Sequence, residues 1–125
     1  KKIFFESYIL QNEIVEFIKK IKSKGIKIGY LSNGPKDRTE YLNSKYNFIK
    51  IFDFGLFSFE ANSIKPNKEI FEKLIEKFNL NPNECIYIDD KENNLLPAKE
   101  LGMKTIHFND INQLIDELKK LEVEV

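Results

Sequence analysis

The stretch Cys85-Ile86-Tyr87-Ile88-Asp89-Asp90 is a short apolar run that ends abruptly on two carboxylates. A run of this length between turn residues reads as a strand buried on both faces. The turn Asn79 to Asn83 precedes it, and a helix follows from about Asn94, with Pro97 in its first turn and Gly102 at its end. Upstream, Ile26 to Leu31 is a second apolar run, closed by the turn cluster Ser32-Asn33-Gly34-Pro35. Between these two runs, Phe52 to Phe59 reads as a strand with its flanking loop. Pro66 then opens a helix whose apolar face is Ile70, Phe71, Leu74, Ile75 and Phe78.

The same alternation continues outward. Ile14, Val15, Phe17, Ile18 and Ile21 recur at helical spacing, and Gly25 supplies a left-handed stop. A second helix is expected from about Lys36 to Tyr46. Lys104 to Phe108 makes a further strand. The last helix, capped near Asn109 or Asp110, buries Ile111, Leu114, Ile115 and Leu118. Apolar strands separated by amphipathic helices imply an α/β fold, a Rossmann-like three-layer sandwich around a parallel sheet. The 125 residues carry no repeat, low-complexity tract or long linker, so residues 1–125 are read as one domain.

Composition narrows the function classes. An apolar content of 42% is that of a globular chain. Basic and acidic residues balance at 20 each, so no overall field draws the chain to nucleic acid or to an anionic membrane. No apolar stretch approaches the roughly 18 residues needed to span a bilayer. Cys85 is the single cysteine and can form no internal disulfide, which fits a reducing, cytoplasmic setting.

In open parallel sheets, ligands bind beyond the carboxyl ends of the strands, so the polar residues at those ends are the first candidates. Adjacent carboxylates repel, and Asp89-Asp90 after a buried run costs stability unless a cation offsets the charge. Hard oxygen ligands of this kind suit Mg²⁺; a solvated turn with Asp as a helix cap is the plainer alternative. Ser32-Asn33-Gly34 offers a hydroxyl and backbone amides that suit phosphoryl oxygens, or simply caps the next helix. Lys65, just ahead of a helix, either points its ammonium into the same crevice or is one exposed lysine among many.

Three stretches carry a resemblance in order and spacing. They are Ile28-Gly29-Tyr30-Leu31-Ser32-Asn33-Gly34, then Lys65-Pro66-Asn67-Lys68-Glu69-Ile70-Phe71, then Ile86-Tyr87-Ile88-Asp89-Asp90-Lys91-Glu92-Asn93-Asn94, continuing through Ala98 to Leu101-Gly102-Met103. In this order the chain resembles the haloacid dehalogenase-like hydrolase superfamily from about Ile14 to Phe108. The resemblance implies that Ser32 and Asn33 hold a transferring phosphoryl group and that Lys65 balances charge on nucleophile and phosphate. It also implies Asp90 as the Mg²⁺ ligand, Asp89 as the partner of Lys65, and Asn94 as a group supporting them from behind. The double Asp resembles the magnesium-dependent phosphatases more than the metal-free dehalogenases. The most similar-looking branch includes sugar-phosphate phosphatases and the phosphatase domain of soluble epoxide hydrolases.

One part of that pattern is missing. Such enzymes attack phosphorus with an Asp carboxylate from an Asp-x-Asp-x-Thr/Val motif, which this chain lacks. The family's first strand carries it, in mid-sheet between the Ser32 and Asp90 strands. Ile3-Phe4-Phe5 has no carboxylate pair, and the substrate-selecting cap is absent. With its Lys1-Lys2 start, the chain is therefore expected to be a C-terminal portion without the first, central strand. Residues 1–10 would be the end of the cap or its linker, and the missing N-terminal segment would be a partner.

The expected function is hydrolysis of a small phosphomonoester through an aspartyl-phosphate, with the nucleophile outside this chain and the 125 residues inactive alone. A catalytically inactive binding module is the alternative. A phospho-acceptor signalling domain groups similar residues, but there the acidic pair comes early and the Lys last. Asp53-Phe54-Gly55, His107 and Cys85 are read as structural, and Tyr41, Tyr46 and Phe48 as packing of the second helix.

Overall fold

The computed structural model describes residues 2–6, 12–32, 51–61 and 63–123. Five strands form one parallel sheet: β1 (Lys2–Phe5), β2 (Lys27–Ser32), β3 (Phe54–Phe57), β4 (Cys85–Asp89) and β5 (Lys104–His107). The helices are α1 (Asn12–Lys22), the single turn α2 (Ser58–Ala61), α3 (Lys68–Phe78), α4 (Glu92–Glu100) and α5 (Ile111–Lys120). The α/β reading holds, with strand order β3-β2-β1-β4-β5.

The centre of the sheet is where expectation fails. Lys2–Phe5 fills the position expected to be vacant, pairing in parallel with β2 on one side and β4 on the other. Phe5 stands opposite Tyr30 of β2 and Ile88 of β4. A gap there would leave a row of unpaired backbone donors and acceptors on two neighbouring strands. A four-residue run buried on both faces closes it: Ile3, Phe4 and Phe5 have no exposed surface. Lys2–Phe5 is thus core sheet and not the end of a cap.

Alternation across the pleat sends Ile3 and Phe5 to one face and Phe4 to the other. On the first face they join Ile14, Val15 and Ile18 of α1 and Leu114 and Leu118 of α5. On the second, Phe4 joins Ile70, Phe71 and Leu74 of α3 and Leu95 and Ala98 of α4. Two helix layers therefore sandwich the sheet, as the apolar stripes of these helices require. Gly25 ends α1 with φ near +89°, as its C-terminal position predicts. Asp110 caps α5, its Oδ1 accepting from the Gln113 amide at 2.8 Å. The helix expected at Lys36 to Tyr46, with Tyr41, Tyr46 and Phe48, lies outside the described residues.

α4 starts at Glu92, two residues before the sequence-based estimate, which places Pro97 inside the helix and not in its first turn. Local bonds explain the early start. The Lys91 amide donates to Asp89 Oδ1 at 2.9 Å, and the Asn94 amide already reaches back to the Lys91 carbonyl at 3.1 Å.

The seating of β1 depends on one glycine. Gly29 stands opposite Phe4 on one side and Phe54 on the other. A Cβ there would lie 2.4 Å from Phe4 Cε1 and 3.2 Å from Phe54 Cβ. Phe4 is fully buried, so its ring has little room to retreat. Gly29→Ala is expected to destabilise the domain by about 1–3 kcal/mol through overpacking. Urea unfolding should show part of that loss restored by adding Phe4→Leu; a neutral Gly29→Ala would contradict the packing described.

Candidate active site

Because all five strands run the same way, their carboxyl ends collect along one edge of the sheet. Ser32 ends β2, Glu6 follows β1, and Asp89-Asp90 closes β4, on three adjacent strands. Lys65 reaches the same edge from the turn ahead of α3. Of the expected site residues, Ser32, Lys65, Asp89, Asp90 and Asn94 all lie in the described structure. Asn33 lies outside the described residues.

Lys65 is the hub. Its side chain is wholly buried, and Nζ donates to the Leu31 carbonyl at 2.9 Å and to the Tyr87 hydroxyl at 2.8 Å. Asp89 Oδ2 and Glu6 Oε1 each lie 3.3 Å from the same nitrogen. The alternative of a solvated lysine is thereby excluded.

Asp89 is also buried, and each of its carboxylate oxygens is engaged. Oδ2 accepts from the Tyr87 hydroxyl at 2.5 Å and from Asn94 Nδ2 at 3.0 Å, while Oδ1 accepts from the Lys91 amide. Burial pushes this carboxyl up. The Lys65 ammonium, with the Tyr87, Lys91 and Asn94 donors, outweighs burial and holds it below the usual carboxylate range. Asp90 differs: the residue is exposed, and its carboxyl is raised, first by partial desolvation at the end of the strand and then by its hydrogen bond with Asp89 and that neighbour's charge. Two adjacent carboxylates are thus driven in opposite directions. Asp89 is tied into the protein, and Asp90 faces outward.

Glu6 is the residue that sequence reasoning missed. It is buried, its amide donates to the Ile88 carbonyl at 3.0 Å, and its carboxylate sits beside Lys65. Glu6, Asp89 and Asp90 each bring a carboxylate oxygen within 4.8 Å of the others. Against one ammonium, these three carboxylates leave two negative charges to be balanced. Hard oxygen donors with that charge excess fit a divalent cation such as Mg²⁺. The available signal was an apolar run ending on a carboxylate, Ile3-Phe4-Phe5-Glu6, a shorter copy of the pattern at Asp89. Tyr87 was missed as well; its place two residues before Asp89, on the same face of β4, was the clue.

A cavity of about 410 Å³ opens beside this cluster, lined by Lys65, Pro66, Lys91, Glu92, Asn93 and Asn94. Asp53 Oδ2 accepts from the Ile28 amide at 3.0 Å, fastening the start of β2. Cys85 is buried, and burial raises its thiol above the usual range. His107 Nε2 lies 3.0 Å from the Asp90 carbonyl, which places the only histidine against the backbone of the acidic turn. No helix among the described residues is long and apolar enough to cross a membrane.

The chain is similar to known proteins in sequence and in fold. The sequence description of the haloacid dehalogenase-like hydrolases matches residues 2–102. The chain is 36% identical over 70 residues to bifunctional epoxide hydrolase 2 of Rattus norvegicus, which covers 56% of this chain and 13% of that protein. It is 26% identical over 108 residues to a phosphorylated carbohydrates phosphatase of Thermotoga maritima, covering 86% of this chain and 50% of the relative. The chain therefore spans half or less of the length of these two relatives. In fold it is similar to a HAD family enzyme of Bacteroides thetaiotaomicron solved in complex with magnesium and inorganic phosphate. The TM-score is 0.74 at 24% identity, over 84% of this chain and 57% of the other.

Proposed function

We propose a function on one premise: the chain belongs to the haloacid dehalogenase-like hydrolases. The complete protein is a magnesium-dependent phosphohydrolase acting on a small phosphorylated metabolite in a cytoplasmic setting, and this chain supplies the side of its site that holds phosphate and metal. One observation carries the reading. A buried ammonium paired with Asp89, and the outward-facing carboxylate of the next residue, Asp90, lie at the carboxyl ends of the parallel strands. The phosphatase relative and the magnesium-and-phosphate neighbour support the substrate class and the metal.

Asp90, with Glu6 beside it, would hold the Mg²⁺, which supplies charge stabilisation to a phosphoryl oxygen when bound. Lys65 holds positive charge near the phosphoryl group, and Leu31, Tyr87 and Asp89 keep its ammonium from swinging into solvent. Ser32, buried at the end of β2, offers its hydroxyl at the same edge, and Asn33 is the next residue in the chain. Asn94 steadies Asp89 from behind. The 125 residues contain no Asp-x-Asp, and Glu6 follows the central strand, so an aspartyl-phosphate route would need an attacking Asp supplied from another segment.

A second reading is favoured by β1. The central strand is filled, and it ends on Glu6 where the catalytic pattern has an Asp pair. On that reading the chain is a catalytically inactive module that binds phosphate and metal. Assaying the complete protein with Mg²⁺ against a panel of phosphomonoesters separates the two. Hydrolysis with an acid-stable trapped phosphoryl-protein supports the enzyme. Magnesium-dependent phosphate binding without any hydrolysis supports the module and defeats the enzyme reading.

A further inference from the structure

We propose that Tyr87 is a positioning residue of this site, its buried hydroxyl fixing the Lys65 ammonium and the Asp89 carboxylate relative to each other. Tyr87 and Asp89 are two residues apart on β4 and share a face of the sheet. The hydroxyl accepts from Lys65 Nζ at 2.8 Å and donates to Asp89 Oδ2 at 2.5 Å. One phenolic proton and two lone pairs allow both bonds at once. The direct Lys65–Asp89 contact is longer, 3.3 Å, beyond the usual range for N–H···O bonds. The hydroxyl is therefore the shorter link between the two charged groups.

The ring behind that hydroxyl has little freedom. Tyr87 has no exposed surface and stands edge-on to the equally buried Phe71, with centroids 5.1 Å apart. The ammonium thus has two neutral acceptors, the Leu31 carbonyl on β2 and the Tyr87 hydroxyl on β4, spanning the strand between them. These acceptors fix the direction of the ammonium, which also lies 3.3 Å from the Asp89 and Glu6 carboxylates. Tyr87 keeps Lys65 aimed. Its value to phosphate binding rests on the reading of Lys65 given above; its positioning of Lys65 does not.

Tyr87→Phe keeps the ring and removes only the hydroxyl. In the complete protein labelled with ¹⁵N-lysine, the slowly exchanging ammonium signal is assigned to Lys65 by its loss in Lys65→Ala. In Tyr87→Phe that signal should exchange with water about tenfold faster or more, the order expected for losing one bond to a charged group. Inorganic phosphate, titrated with Mg²⁺ present, should bind about tenfold more weakly than to the unaltered protein. An unchanged ammonium signal overturns the proposal, and so does unchanged phosphate affinity in Tyr87→Phe when Lys65→Ala has lost it. If Lys65→Ala binds phosphate normally, the functional reading of Lys65 fails, and the ammonium signal alone decides the role of Tyr87.

Discussion

Lys65→Met is expected to destabilise the domain by about 3–5 kcal/mol, the range seen when one partner of a buried ion pair is removed. Methionine keeps most of the side-chain length, so lost packing contributes little. What remains is electrostatic: Glu6 and Asp89 are left buried with no cation between them. Against a total stability of order 5–15 kcal/mol for a single domain, that is a large share.

The pH dependence gives this prediction its second handle. In the unaltered protein, burial raises the Asp89 carboxyl, but Lys65 and three hydrogen-bond donors hold it below its ordinary value of 3.8. A group lowered on folding contributes stability above its unfolded pKa, and that contribution is lost as pH falls through the folded value. Without Lys65, the largest opposing influence is gone and burial pushes the carboxyl upward. The deficit of Lys65→Met should therefore be greatest near neutral pH and shrink under mildly acidic conditions. Urea unfolding at pH ~7 and ~4.5 with a chelator present checks both parts. An equal deficit at the two pH values would sink the electrostatic account of the hub.

Asp90→Asn should produce the largest loss of activity, about 10²–10³-fold in turnover of the complete protein, as for other single charge-stabilising groups. Its effect on stability should run the other way. Burial, then the hydrogen bond and charge of Asp89, raises the Asp90 carboxyl. A raised acid is a destabilising charge, absent below its unfolded pKa and fully present above its folded pKa. At neutral pH without metal, Asp90→Asn should be at least as stable as the unaltered protein. Mg²⁺ should raise the melting temperature of the unaltered protein and leave the variant unmoved, because only a bound ion shifts the folding equilibrium. Full turnover by Asp90→Asn with Mg²⁺ present, or an undiminished magnesium shift, would remove Asp90 from the metal site.

Much of the site was legible because the relevant residues follow apolar runs. Ile26 to Leu31 leads into Ser32, and Cys85 to Ile88 leads into Asp89-Asp90; a buried run that stops on polar groups marks the carboxyl end of a strand. The structure brings those ends together with Lys65. It also divides labour within the acidic pair, tying Asp89 inward through Lys65, Tyr87, Lys91 and Asn94 while Asp90 stays exposed.

Lys2–Phe5 was not legible. Three apolar residues after a lysine have no period of their own, and their identity as the central strand depends on β2 and β4 leaving two rows of unpaired backbone that another segment must fill. Glu6 becomes part of the site only once that strand is seated, since its place beside Lys65 is set by the register with Ile88. Tyr87 read as one more apolar strand residue until its hydroxyl was found between two charges. The order of elements and the chemistry at strand ends come from local pattern, which a linear sequence records. Which strand fills the centre, and which buried groups meet there, depends on long-range pairing and on the need to partner every buried polar group, and only the assembled sheet decides that.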